Sequence, residues 1–458
     1  MSRCPNERQS GQNGSLTYLH RDISQWRERI VNTFLDDERG KTTILFGGLS
    51  LMRDSLIAAA LRSLGERFVP LPEPGFEAFR TGKAFGNKGQ CNPTYFNVGN
   101  LVNYLVRLRD EEGIPTERII REYCYVTAGG CGPCRFGMYI TEYRKALRDA
   151  GFEGFRIFGF EHTRGIFQSV GETEGFGFSP RFFVTLLRAV MIGDMLALLG
   201  YRMRPYEKEK GSVDAALARC RKLVEEAFEN RRSLVFALRR CRKTLDAVPL
   251  DNTLNKPKVL VIGEFWAALT EGEGNYRLFR FLEEEGAEVM AQPATARLLL
   301  NIWEAKYEAT KRAGLWKSTM SLLDVSATKF WVFNRLAKIG LLAQWKLYAK
   351  AVGLDFYRLP DVDRLARLAE PYYTLDATGG EGHMEVAHFI ECAQQGCADL
   401  VISVKPFGCM PSSAVSDGIQ TLVASKFPQL PFLSVETSGE GAVNFYSRVQ
   451  MALHRAKG

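Results

Sequence analysis

The chain lacks several features that would place a protein at once. It has no run of roughly 18 apolar residues that could span a bilayer, so no membrane-embedded segment is expected. Its N-terminal stretch, MSRCPNERQSGQNGSLTYLH, is polar, mixes acid with base and has no apolar core of signal-peptide kind. Export is therefore not expected, and a cytoplasmic location is. There is no G-x-x-x-x-G-K-[ST] phosphate loop, which argues against ATP hydrolysis by that route. Histidine is scarce: there are five, none beside a cysteine motif, so histidine ligation of a metal is not expected. Nor does one sign of charge dominate. The net charge is +8 over 458 residues, and stretches such as RKLVEEAFENRR interleave base with acid. These read as solvated helix faces, and no nucleic-acid or membrane partner is expected.

What is present is enough apolar material for several packed cores. The hydrophobic fraction is 46% and the charged fraction 24%, both ordinary for globular chains. Ten cysteines without a secretion signal point to reduced thiols rather than a disulfide framework. Their settings differ. Cys4 lies in a loose, polar tail, and Cys220 and Cys241 lie in charged helices with no partner in reach by sequence. Cys91, Cys124, Cys131, Cys134 and Cys409 stand near glycines and prolines at the ends of apolar segments.

The expected fold class is α/β, with two Rossmann-like parallel-sheet domains and helical insertions. Residues 1–40 form an N-terminal segment in which DISQWRERIVNTF reads as an amphipathic helix. Residues 41–175 form the first α/β domain. TTILFGGLS, RFVPLPEP, IIREYCYVTA and GFRIFGFE read as strands, with helices such as SLIAAALRSLGERF and RFGMYITEYRKALRDAGF between them. Residues 176–254 are a helical linker region. Residues 255–458 form the second α/β domain, with strands in PKVLVIGEF, AEVMAQP, DLVISVKPF and LPFLSVETSGEG and a helical insertion at 296–350. Strands alternating with helices predict parallel sheets, whose ligands bind beyond the carboxyl ends of the strands. The glycine-flanked cysteines fall there in both halves.

The most informative segment is YVTAGGCGPCRFGMY (125–139). Cys131 and Cys134 stand two residues apart between a strand and a helix. The glycines permit close backbone approach, and a helix N-terminus favours thiolate. Two readings fit, cluster ligation and thiol–disulfide exchange, since Cys-Gly-Pro-Cys is also similar to the thioredoxin active site. Cys91, in FGNKGQCNPTYFNVG, reads either as a ligand or as a buried helix-start cysteine. Cys409, in VKPFGCMPSSAVSDGI, sits in a Gly/Pro loop leaving an apolar strand, and such a loop suits a soft cluster ligand. Cys124, in a strand, favours a core role over ligation. Cys392 and Cys397 fall on a helix and turn where buried cysteines are common. Glu264, Glu381 (in TGGEGHMEVAHF, with Gly379, Gly380 and His383) and Glu436 (in VETSGEG, with Gly439) either cap local backbone or line the cleft.

Taken together, GPCRFGMY, the Cys91 segment, KVLVIGEFW and KPFGCMPSSAVSDGIQ resemble the 2-hydroxyacyl-CoA dehydratase component superfamily. The likeness spans roughly residues 42–450 and is greatest to the activase-associated and double-cubane branches. The resemblance implies an oxygen-sensitive iron–sulfur protein, with cluster ligands drawn from the segments of Cys91, Cys134 and Cys409. Cys131 is an additional thiol beyond the commoner pattern of the family. It leaves the choice open between a 4Fe-4S cluster and a double-cubane 8Fe-9S cluster, with Cys124 a further candidate ligand. The implied activity is that of a low-potential reductase or dehydratase-like component. Its electrons would come from an ATP-hydrolysing activator on a separate chain, in a homo- or hetero-oligomer of related subunits. The alternatives are a non-catalytic electron-transfer or scaffold subunit, and a thiol–disulfide oxidoreductase using Cys131 and Cys134.

Overall fold

A computed structural model describes residues 34, 38, 40–48, 50–129, 134–161, 169–170, 179–316, 325–377 and 380–457. Of the expected helix in 22–34 only Phe34 is described, and Cys4, Cys131 and Gly379 lie outside the described residues.

The first half alternates strand and helix: β1 (Thr43–Phe46), α1 (Leu51–Arg62), β2 (Arg67–Pro70), α2 (Phe76–Phe85), α3 (Asn92–Asp110), α4 (Thr116–Glu122), β3 (Tyr123–Gly129), α5 (Tyr139–Asp149) and β4 (Arg156–Glu161). A two-residue strand, β5 (Ser169–Val170), adds an antiparallel edge. The order is β2-β1-β3-β4-β5, and the first four strands are parallel. Helices α6 (Pro180–Met203), α7 (Ser212–Glu229) and α8 (Leu234–Asp246) follow.

The second half runs β6 (Lys258–Gly263), α9 (Phe265–Leu269), α10 (Leu278–Glu284), β7 (Glu288–Ala291), α11 (Ala294–Trp316), α12 (Val325–Val352), α13 (Val362–Ala369), α14 (His383–Gln395) and β8 (Leu400–Pro406). A helix from Met410 to Lys426 with a π-helical middle follows, then β9 (Phe432–Thr437) and a last helix, Ala442–Lys457. Its sheet, β7-β6-β8-β9, is parallel throughout and repeats the strand order of the first. The fold class is thus α/β with two parallel sheets, as expected. The strands are continuous apolar runs because helices cover both faces; every residue of β8 is buried. In each sheet the chain reverses its direction of winding between the first and third strands, β1/β3 and β6/β8, which opens a crevice at their carboxyl ends.

Four local expectations need correction. IIRE, at the head of the expected strand, belongs to α4. Pro115 starts that helix, Arg118 and Glu122 pair at i,i+4, and only Ile119 is buried, a helical and not an alternating pattern. Cys220 and Cys241 are not isolated. Both are fully buried on facing α7 and α8, and each thiol donates to the other residue's carbonyl at 3.6 Å. Cys392 and Cys397 form a disulfide. The left-handed Gly396 at the end of α14 turns the chain back so that the two meet. Finally, a segment long and apolar enough to cross a membrane does exist. It is α6, and 61% of its apolar window is buried inside the fold.

Near the middle of α6, Asp194 ties the helix to both halves of the fold. This carboxylate is fully buried and accepts from Arg53 Nε of α1 at 2.8 Å. It also accepts from the Ala294 and Thr295 amides at 3.1 and 2.8 Å and from Thr295 Oγ1 at 2.6 Å, at the first turn of α11. One side chain therefore ties the first half, the linker helix and the second half together. Asp194→Ala is expected to leave the Arg53 charge buried and unpaired, at a cost of about 3–5 kcal/mol. The double change Arg53→Met with Asp194→Leu is expected to cost less. Chemical denaturation of the three proteins checks the order, and equal losses for the single and double variants would refute it.

Candidate functional site

The two crevices face each other, and the cysteine loops meet between them. Cys91 is the N-cap residue of α3, with Pro93 in the first turn. Cys134 follows β3 and caps a short 3-10 turn, Arg135–Met138. Cys409 follows β8 and caps the helix that starts at Met410. Each cysteine thus stands at the start of a helical turn, where backbone N–H groups are free of helix partners. The Phe136 and Ser412 amides lie close enough to Cys134 and Cys409 to favour their thiolates by hydrogen bonding.

The residues next to these cysteines hold the two halves together. The Asn92 amide donates to Phe407 O at 3.0 Å, and the Asn92 side chain donates to Thr437 O. Arg135 Nε donates to Gly408 O at 3.1 Å. The two carbonyls immediately before Cys409 are therefore gripped from the first half, one by the neighbour of Cys91 and the other by the neighbour of Cys134. Gly408 lies at φ +78°, and a Cβ there would sit 3.1 Å from both Cys91 Cα and Gln90 O. A second close approach positions Cys91. A Cβ on Gly99 of α3 would sit 1.8 Å from Ala78 O of α2, so only glycine lets these helices touch. Across the same seam Trp266 stacks on Phe96 at 5.5 Å and donates to Gly48 O at 3.1 Å.

Cys91 and Cys409 are 6% and 7% exposed, and Cys134 is partly open. Cys91 Sγ contacts Thr94 Oγ1 and Tyr139 OH, both at 3.2 Å, and Cys409 Sγ donates to Ser412 Oγ at 3.2 Å. Burial pushes the Cys134 thiol up to about 11, and the nearby Glu264 and Cys91 add to this. Cys409 is raised for the same first reason, with Glu264 and Cys134 adding to it. Glu264 caps α9 by accepting from the Ala267 amide at 2.9 Å and also faces both thiols. Its own carboxyl is raised by burial. Glu381 is pushed up to about 7 by burial, and its Oε1 is shielded from water without a hydrogen-bond partner. Arg297, which donates to Gly380 O, is the cation facing both acids.

Cys124 is not brought to this site. It lies at the other end of β3, in the hydrophobic core, about 17 Å from the strand's end at roughly 3.3 Å per residue. Burial pushes it up to about 12. Glu436 is exposed, while Gly439 packs against the Phe79 ring. Sequence reasoning missed Asn92, Arg135, Arg297 and Tyr139. Adjacency to the cysteine motifs was the signal for Asn92, Arg135 and Tyr139, the last of which closes the 125–139 segment, whereas Arg297 comes from a distant helix. Among the described residues no three His, Cys, Asp or Glu side chains converge closely enough for one metal ion. A polynuclear iron–sulfur core is held otherwise, each thiolate taking a different iron with the sulfurs spread around the core. Three soft donors at helix starts, two buried and one partly open, with backbone amides beside Cys134 and Cys409, fit such a group.

The chain matches no family model, and no curated relative is similar to it.

Gly408→Ala is expected to lower stability by about 1–2 kcal/mol, because it combines a left-handed backbone with crowding at Cys91. Thermal unfolding checks this. A wild-type melting temperature would show that the two loops are not in contact there.

Proposed function

We propose that this chain is an iron–sulfur protein acting as a low-potential reductase or dehydratase-like component. It receives electrons from a separate ATP-hydrolysing activator and works in an oligomer of related subunits. The observation that carries the reading is the cross-grip of Asn92 and Arg135 on the carbonyls preceding Cys409. It brings the loops of Cys91, Cys134 and Cys409 together from both halves of the chain. Cys91, Cys134 and Cys409 would hold the group, with Cys131 as a further ligand. When bound, a 4Fe-4S or double-cubane 8Fe-9S cluster supplies one-electron chemistry at low potential. The protein's own part is to bury the thiolates, to donate amide hydrogen bonds from Phe136 and Ser412 to their sulfurs, and to keep Glu264 and Glu381 nearby as acids. Half-exposed Met138, Phe407 and Met410 flank Cys134 and Cys409 in the chain, an apolar surface suited to a protein partner.

The alternative is thiol–disulfide exchange by Cys131 and Cys134. An attacking exchange cysteine needs a lowered pKa, whereas burial and neighbouring negative groups push Cys134 up, so in that reading Cys131 would attack and Cys134 would resolve. Anaerobic, iron-replete preparations are expected to be brown, with at least about four irons per chain and matching sulfide. Cys134→Ser and Cys409→Ser should each lose most of the iron, whereas Cys220→Ser, remote from the site, should keep it. A colourless wild-type protein would sink the cluster reading. Cys131→Ala with unchanged iron and an unchanged paramagnetic resonance signal would remove the larger cluster.

A further inference from the structure

Helix α12 carries a second apolar face that the fold does not use. Its C-terminal half packs inward through Leu341, Trp345, Tyr348, Ala349 and Val352, all buried. On the opposite side Val332, Leu336, Ile339, Ala343 and Leu347 recur at spacings of 4, 3, 4 and 4 residues, and each is exposed. At 100° per residue they fall in a stripe about 80° wide and, at 1.5 Å per residue, about 22 Å long. Val332, Leu336, Ile339 and Leu347 are between 45% and 61% exposed. Between 331 and 340 no residue of the helix is fully buried, so this end lies on the surface of the body, held by Asn334 Nδ2 on Ile302 O at 3.2 Å and Lys338 on Asp363 at 2.7 Å. Trp331, 46% exposed, stands beside the stripe with Arg335 over its ring.

The charges beside the stripe decide what it fits. From Val325 to Val352 the helix contains five basic residues and no acidic one. Lys338 pairs with Asp363, while Arg335 and Lys346 are exposed along the stripe's margin and Lys350 at its C-terminal end. A second copy is a poor occupant. Antiparallel pairing centred between Gly340 and Leu341 would set Arg335 against the other copy's Lys346, and parallel pairing would set each cation beside its own counterpart. We infer that this face of α12 lies in the headgroup region of an anionic lipid surface. The apolar stripe would be buried at the acyl boundary, Trp331 at headgroup level, and Arg335, Lys346 and Lys350 on lipid phosphates. This departs from the expectation of no membrane partner. It is a peripheral contact, independent of the cysteine site and of the buried α6.

The full chain is to be tested with vesicles of phosphatidylcholine alone and of phosphatidylcholine with about one third phosphatidylglycerol. Three exposed cations are expected to tighten binding to the anionic vesicles by about a hundredfold, with the gain lost at high salt. Leu336→Glu with Ile339→Glu should abolish binding. Arg335→Gln with Lys346→Gln and Lys350→Gln, which leaves the apolar stripe intact, should reduce anionic binding to the neutral level. Brominated lipid should quench fluorescence in the wild type and do so less in Trp331→Phe. Circular dichroism of each variant checks that it is folded. Failure of the wild type to bind anionic vesicles overturns the inference. So does a dimer in light scattering that the Leu336/Ile339 variant dissolves, since the stripe would then be covered by a second copy.

Discussion

Everything at the cysteine site depends on a buried carboxylate that lies far from it in sequence. Asp194 sits in the middle of an apolar helix and is satisfied by Arg53 from one half and by the first turn of α11 from the other. A charge so placed is costly unless every lone pair is used, so the arrangement tolerates few alternatives. Sliding either half along α6 would strand Arg53 or open the start of α11. The pairing therefore acts as a register pin. With the halves pinned, the carboxyl ends of the two sheets confront each other and Cys409 arrives against Cys91.

That confrontation explains the local chemistry around the loops. Two elements that meet through backbone cannot carry side chains at the point of contact, and Gly408 lies within van der Waals reach of Cys91 Cα and Gln90 O. The carbonyls of Phe407 and Gly408 would be left unpaired by such an approach, and Asn92 and Arg135 meet that need. Both donors neighbour a cysteine, so closing the seam and positioning the thiols are one event. Water is excluded in the same step, which is why burial heads the causes raising both Cys134 and Cys409.

The fold was largely legible in the sequence because the strands are apolar runs punctuated by glycine, a local signal. KVLVIG and LVISVKP became β6 and β8. IIRE misled because two adjacent isoleucines suggest a strand, although only Ile119 is buried. At the site, the glycine-flanked cysteines were visible for the same local reason, and the structure brings the loops of Cys91, Cys134 and Cys409 to one seam. What could not be read were partners set by tertiary packing. Examples are Asp194 with Arg53, the facing thiols of Cys220 and Cys241, and Arg297 beside Glu264 and Glu381. The exposed stripe of α12 was hidden for a related reason. Its apolar residues have the same helical period as a core face, and only the fold shows which of the two faces is spent.

The halves share a strand order but not a chemistry, and the difference sets the polarity of the site. The first half contributes Cys91 and Cys134, with Arg135 reaching outward across the seam. The second contributes Cys409 together with Glu264 and Glu381, both half-buried acids. Acidic groups therefore gather on the second half, where Arg297 faces the two carboxyls. Glu264 cannot turn away, because its carboxylate is spent capping α9. Glu381 has no such anchor. One of its oxygens is shielded and unpaired, so its proton is held near neutrality by burial and not by a partner. Of the two acids, the one bound to backbone can act only as a fixed charge. The other is left able to gain and lose a proton beside Glu264 and Arg297.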